Sequence, residues 1–362
     1  MDILSYNPDN SYWDLPSRVY GYVTEIEPEA RSQSDSWWLT LECIDADMFD
    51  KVSIRNTSYP IPDSELTNIS VTIAEFTFQP GEESFIKDGV CEGLWFEFRF
   101  SPLAIGKPFE HYWNLFSPPQ IQFLKSVREV DSKLSNRLTE STQLNDISDA
   151  SEEVIDGLLS NKIPDACAIY DVGQGNCNAL LTKQDGEASP FVYFDLGGGV
   201  LGNTHTYPSK LRDFCFNKKP TIVLSHLDWD HWSSAQRCKE AKTMDWIVPR
   251  QQWGHVHKKF LLEINSHGTL NFWPDNLQKI SKNGFEIVKC TGRGRNHSGL
   301  AMYAKNNSGD QKMLFTGDCS YNKIPDSNSR LQLQQNSRFQ QSRHCFCGCP
   351  SSWGKNALTN GS

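Results

Sequence analysis

Four side chains able to hold a metal ion fall within six residues of one another, in the segment Ser225-His226-Leu227-Asp228-Trp229-Asp230-His231. The run before it, Thr221-Ile222-Val223-Leu224, is apolar and predicts a short buried strand. Alternate residues of an extended segment point the same way. His226, Asp228 and Asp230 can therefore converge, with His231 at the turn that follows. Imidazole and carboxylate are the usual ligands of hydrolytic metals. Two carboxylates this close repel each other unless a cation lies between them. The segment reads as a metal-binding loop at the mouth of a strand.

Four further segments carry chemistry-bearing residues in series. Asp171-Val172-Gly173-Gln174-Gly175-Asn176 is a glycine-rich turn, and Phe194-Asp195-Leu196-Gly197-Gly198 ends a strand on an acid. Asn296-His297-Ser298 is an Asn-containing turn before a strand, and Leu314-Phe315-Thr316-Gly317-Asp318 again ends a strand on an acid. In this order, with the loop at 226–231, they resemble the metallo-β-lactamase superfamily, with Asp228 in the place of the second histidine of its His-x-His-x-Asp-His loop. That variant is similar to the hydrolase domain of competence-type DNA-uptake proteins and their soluble relatives. The resemblance spans about residues 166–322.

The resemblance implies a metal-dependent hydrolase. His226 and Asp228 would hold one metal, Asp230 and His231 the other, and Asp318 would bridge them. Asp195 would orient the loop rather than ligate. Asp230 would be the catalytic carboxylate, and a metal-bound hydroxide the nucleophile. One or two divalent metals follow, Zn by family default, with Mn favoured by the three carboxylates. The favoured substrate is a phosphodiester, small or polymeric. Other readings of the same residues stay open. Gly173 and Gly175 serve a tight turn or touch substrate, and Asp318 is a ligand or part of a hairpin turn. His255 and His257 are packing or surface residues or supply a further ligand, and His297 is similar, near the substrate.

The family also has a Pro-His-His-Gly motif after the bridging acid, and it has no counterpart here. The one later histidine, His344, sits in a Ser-Arg-His-Cys context that does not match. The tail accounts for the loss. Serine codons TCA-TCA at Ser351 and Ser352, followed by TGG for Trp353, read one nucleotide later as CAT-CAT-GG, His-His-Gly. The tail is thus expected to be an out-of-frame reading of an apolar strand and that motif. The alternative function is a truncated or frameshifted, catalytically inactive relative with at most a binding role. Cys345, Cys347 and Cys349 are spaced too closely for a typical Zn site.

Elements must position these residues. Residues 1–118 read as a small β-rich domain, a sandwich or barrel, from runs such as Trp37–Leu41, Ile69–Ile73 and Leu94–Phe100. Residues 119–160 read as a helical and polar linker, with helix-forming composition over Gln120–Leu134 and a second helix capped by Ser151. Residues 161–325 hold strand candidates at 167–170, 179–182, 191–194, 221–224, 246–248, 285–288, 300–303 and 313–315. The expected fold class is α+β, a C-terminally incomplete metallo-β-lactamase-like αββα sandwich behind the β-rich domain. Residues 326–362, rich in Ser, Gln, Asn and Arg, are expected to be a disordered tail.

Bulk properties narrow the function classes. A chain of 362 residues is long enough for two domains. Eleven tryptophans in a 12% aromatic composition require a substantial core. The net charge of −9 argues against binding nucleic acid or anionic membrane through the overall field. No apolar run has the length of a membrane span. Met1-Asp2-Ile3-Leu4-Ser5 lacks the basic-then-apolar pattern of a secretion signal. Eleven scattered cysteines are then expected as reduced thiols in a cytoplasmic protein.

Overall fold

The computed structural model describes residues 15–28, 36–55, 61–66, 68–78, 92–184, 186–211, 213–305 and 312–325. The expected disordered tail over 326–362, its three cysteines, His344 and the out-of-frame motif lie outside the described residues. The chain divides into two compact units, Met1–Asp146 with Gln252–Leu261, and Ile147–Gln251 with Leu262–Ser362.

The first unit is built on six strands: β1 Arg18–Pro28, β2 Trp37–Asp45, β3 Val71–Phe78, β4 Trp95–Ser101, β5 Lys107–Tyr112 and β6 Gln120–Glu129. Short helices α1 Ala46–Arg55 and α2 Asp63–Leu66 precede β3, and α3 Ser132–Thr142 follows β6. The strands close into an antiparallel barrel in the order β1-β2-β3-β5-β6-β4. Closure leaves no open sheet edge. Aromatic and aliphatic residues two apart along the strands fill the interior, among them Leu39, Leu41 and Cys43, Phe76 and Phe78, and Phe96, Phe98 and Phe100. Phe76 stacks on Phe109 with ring centroids 4.3 Å apart.

The helix expected over 120–134 is instead largely β6. Its polar composition suits a helix surface, but only Leu124 of the strand is buried. Pairing on both sides, with β4 and β5, overrides the local propensity. The expected linker is therefore partly barrel wall.

The second unit opens with α4 Glu152–Leu158, capped by the Ser151 side chain, which accepts from the Val154 amide. Ten strands follow: β7 Ala166–Ile169, β8 Cys177–Gln184, β9 Glu187–Leu196, β10 Thr221–Val223, β11 Asp245–Pro249, β12 Thr269–Trp273, β13 Lys279–Ser281, β14 Phe285–Lys289, β15 Leu300–Lys305 and β16 Lys312–Phe315. Between β10 and β11 lies α5 Ser234–Arg237, and between β11 and β12 lies α6 His255–His267. One sheet has the order β12-β11-β10-β9-β8-β7, parallel from β12 to β9 and antiparallel from β9 to β7. The other is antiparallel, β13-β14-β15-β16. The two sheets share one core. Leu180, Val192, Phe194, Val223 and Ile247 of the first meet Ile287, Leu300, Met302 and Phe315 of the second. Phe194 lies 6.1 Å from Phe315, ring to ring.

The expected αββα sandwich is not the fold adopted. The chain is β-rich, with a closed six-stranded antiparallel barrel and two further sheets. The helices that should form outer layers are too short for it. Helix α4 has seven residues and α5 four. Segments 201–206, 229–231 and 239–243 are 3₁₀ turns. Helix α6 is longer, at 13 residues, but the unit division runs through it. Among the described residues, no helix is long and apolar enough to cross a membrane.

Candidate metal centre

The loop 225–231 leaves the C-terminal end of β10, flanked by the parallel strands β9 and β11. Strand β9 ends beside it on Asp195, and β16 of the other sheet ends just before Asp318. Ends of open parallel strands are a general location for ligand sites. Here they gather side chains from distant parts of the sequence.

Asp195 organises the loop from beneath. It is fully buried and adopts a left-handed backbone, with φ of 63°. A non-glycine residue takes that conformation only when its surroundings fix it. The Ser225 amide donates to Asp195 Oδ1 at 2.6 Å, and the Ser225 hydroxyl donates to Oδ2 at 2.8 Å. The Asn176 side-chain Nδ2 donates to Oδ2 at 3.0 Å, and His231 Nδ1 lies 2.9 Å from the same oxygen. The carboxylate can only accept, so Nδ1 carries the proton and Nε2 is turned the other way. Nε2 faces Asp318 Oδ1 at 3.4 Å and Asp230 Oδ1 at 3.8 Å.

His226 and His231 are both buried, with ring centroids 4.1 Å apart. One ligand atom each from His226, His231 and Asp318 lies within 4.8 Å of the others. Two imidazoles and a carboxylate suit Zn or Mn, and three protein ligands leave coordination positions open, as in catalytic sites. The donor set therefore fits a divalent ion. It opens on a cavity of about 540 Å³, lined by Gln174, Asn176, Asn178, Asp230 and Asp318, among others.

Asp228 and Asp230 lie outside that converging group. Asp228 Oδ2 is 3.0 Å from His226 Nε2, and its Oδ1 accepts from Arg295 Nη1 at 3.0 Å. The Asp230 carboxylate borders the cavity, and its main-chain carbonyl accepts from the amides of Gly198 and Asn176. A Cβ on Gly175 or Gly197 would overlap that carbonyl oxygen, so both glycines are there for close approach of backbone.

The charges are strongly interdependent. Burial alone would raise the Asp228 carboxyl, but His226, Arg295 and His231 outweigh it and hold it far below the usual range. Burial, reinforced by Asp228 and Asp318, raises Asp230 against the two histidines. His231 is opposed by burial, yet Asp195, Asp230 and Asp318 raise it well above the ordinary imidazole value. The hydrogen bond from His231 lowers Asp318 against its partial burial.

His255 and His257 belong to the first unit. His255 Nε2 lies 3.1 Å from the Ser141 hydroxyl, and His257 Nδ1 pairs with the Glu42 carboxylate. His297 accepts from the Ser320 amide at 3.5 Å. Sequence reasoning missed Ser225, Gln251 and Arg295. The Gln251 side chain accepts from the Leu227 amide at 3.0 Å. It donates to the Arg295 carbonyl at 2.6 Å and to the Ser298 hydroxyl at 2.8 Å. The acid count of the loop signals that a cation is needed but does not say which group supplies it. No protein-family model matches the chain, and no curated protein is significantly similar to it.

Proposed function

We propose that this chain is a metal-dependent hydrolase acting on phosphodiesters. The observation that carries the reading is the convergence of His226, His231 and Asp318 from the ends of two different sheets. The motif series that resembles the metallo-β-lactamase superfamily supports the same chemistry. A Zn or Mn ion held there supplies Lewis acidity and charge neutralisation for hydrolysis. The protein's own groups do the rest. Asp195 fixes Nδ1 of His231, which would leave Nε2 free to hold such an ion. Gln174 and Asn176 present polar groups along the cavity for an anionic substrate. Asp230 borders the cavity, its carboxyl raised by burial, and stands where a carboxyl can exchange a proton with a leaving oxygen. The net charge of −9 favours small or short substrates over long nucleic acid. Seven free cysteines among the described residues support a reducing, cytoplasmic setting.

A second reading, a catalytically inactive relative with at most a binding role, is favoured by one observation. Asp228, a ligand in the expected two-metal site, is engaged by Arg295. A panel of bis-p-nitrophenyl phosphate, DNA and thioesters, assayed with Zn and with Mn, separates the readings. Metal-dependent turnover of the phosphodiester, lost in Asp230→Ala, supports the hydrolase. Metal binding with no turnover of any substrate supports the second reading. Turnover of thioesters alone would overturn the substrate class.

A further inference from the structure

Asp228 is the acid that stands where the second histidine of the loop was expected, yet its charge is already met from within the chain. Arg295 Nη1 donates to it at 3.0 Å, with only 9% of the arginine side chain and 19% of the aspartate side chain exposed. A guanidinium keeps its charge at any pH at which a protein is folded. Arg295 is also held in place. Gln251 ties its carbonyl and the Ser298 hydroxyl to the Leu227 amide, so one side chain bonds the turn carrying the arginine to the loop 225–231. Among the described residues, the group of donors that can share an ion is His226, His231 and Asp318, without Asp228.

We propose that Arg295 is a built-in cation that takes up the Asp228 carboxylate in place of a second metal, so that this centre binds one divalent ion, on His226, His231 and Asp318. The inference rests on the metal-centre reading above and adds its stoichiometry. A second ion at Asp228 would have to displace the guanidinium and would leave that charge nearly buried beside a dication. Like charges in so little solvent repel strongly. With Arg295 in place, the acid that the sequence offers as a ligand becomes a fixed counter-ion.

The test counts metal on the full chain, stripped with chelator and dialysed against Zn or Mn chloride, by inductively coupled plasma mass spectrometry with calorimetric titration. The wild type is expected to hold one equivalent. Arg295→Ala is expected to hold two, and Arg295→Lys one. Asp228→Asn is expected to keep one equivalent, with any change in affinity coming through its contact to His226 Nε2, and it serves if Arg295→Ala does not fold. Two equivalents in the wild type would overturn the proposal while leaving the metal centre standing. So would one equivalent in a folded Arg295→Ala, or loss of the ion in Asp228→Asn. No bound metal in any of them would overturn the metal-centre reading itself, and this proposal with it.

Discussion

Asp195 and His231 are joined at 2.9 Å through Oδ2 and Nδ1, and that contact turns Nε2 of the histidine toward Asp318, 3.4 Å away on the other sheet. The carboxylate also accepts from the Ser225 amide, the Ser225 hydroxyl and Asn176. An asparagine at this position would set its own donor against donors. Asp195→Asn is expected to weaken metal binding by roughly 10–100-fold, the usual range for losing a group that orients a ligand. Calorimetric titration with Zn checks this. Unchanged affinity would mean that Asp195 does not govern His231.

The two sheets of the second unit are held in register by their shared core. Phe194 is fully buried and lies against Phe315, three residues before Asp318. Phe194→Ala is expected to cost about 3–5 kcal/mol of stability by opening a cavity. Because Phe315 lies at the end of the strand that presents Asp318, metal affinity should fall as well. Urea denaturation and metal titration of the same variant check both effects. A loss of stability with no change in affinity would separate the core from the site.

Gly197 approaches the Asp230 carbonyl so closely that a Cβ would overlap it. The obstruction is backbone, which cannot swing aside as a side chain can. Gly197→Ala is expected to destabilise the protein by roughly 2 kcal/mol or more, in the range of overpacking a filled site. Gly186→Ala is a control, since nothing lies within 4 Å of a Cβ there, although its φ of 85° also strains alanine. Thermal denaturation of the two variants compares steric overlap at Gly197 with left-handed backbone strain at Gly186. Equal losses would remove the role of close approach.

How much of this was legible in the sequence depends on how far apart the partners lie. His226, His231 and Asp318, which the structure brings together, could be singled out because they follow the ends of apolar strands. The strands at 191–194, 221–224 and 246–248 were visible because they are buried on both faces and read as continuous apolar runs. Strand β13 was missed because Ile280 is its one buried residue. Strand β6 was read as helix because its exposed face is rich in Gln, Lys, Arg and Glu. Arg295 and Gln251 could not be assigned, because their contacts to the loop span 67 and 24 residues of sequence. The helical layers failed for a different reason. Outer helical layers were implied by the resemblance, and the segments between these strands form short 3₁₀ stretches of three to six residues instead.

The barrel carries its own pH dependence. His111 is fully buried, 2.8 Å from the Thr72 hydroxyl and against Phe100. Burial pushes its imidazole down to about 3. The proton therefore prefers the unfolded chain, where the value is about 6.5. The stability from the neutral ring is complete above about pH 6.5 and is lost as pH falls toward 3. Glu75 has the opposite sign. Burial, with Glu110, pushes it up to about 7 against hydrogen bonds from Tyr112 and Trp38. Its contribution is complete below its ordinary value of 4.5 and is lost as pH rises through 7. The urea midpoint of His111→Gln should fall less on acidification from pH 7 to 4.5 than that of the wild type. That of Glu75→Gln should fall more. Equal falls in all three proteins would contradict both assignments.

Asp318 gives the most direct test of the metal centre. Its side chain is half exposed, so removing it does not open the core, and it comes from a different sheet than the two histidines. Calorimetric titration of the metal-free full chain with Zn and with Mn is the measurement. Saturable binding in the wild type that disappears in Asp318→Ala, with the circular dichroism spectrum unchanged, is the predicted result. No binding in the wild type, or equal binding in Asp318→Ala, would contradict a centre built on His226, His231 and Asp318.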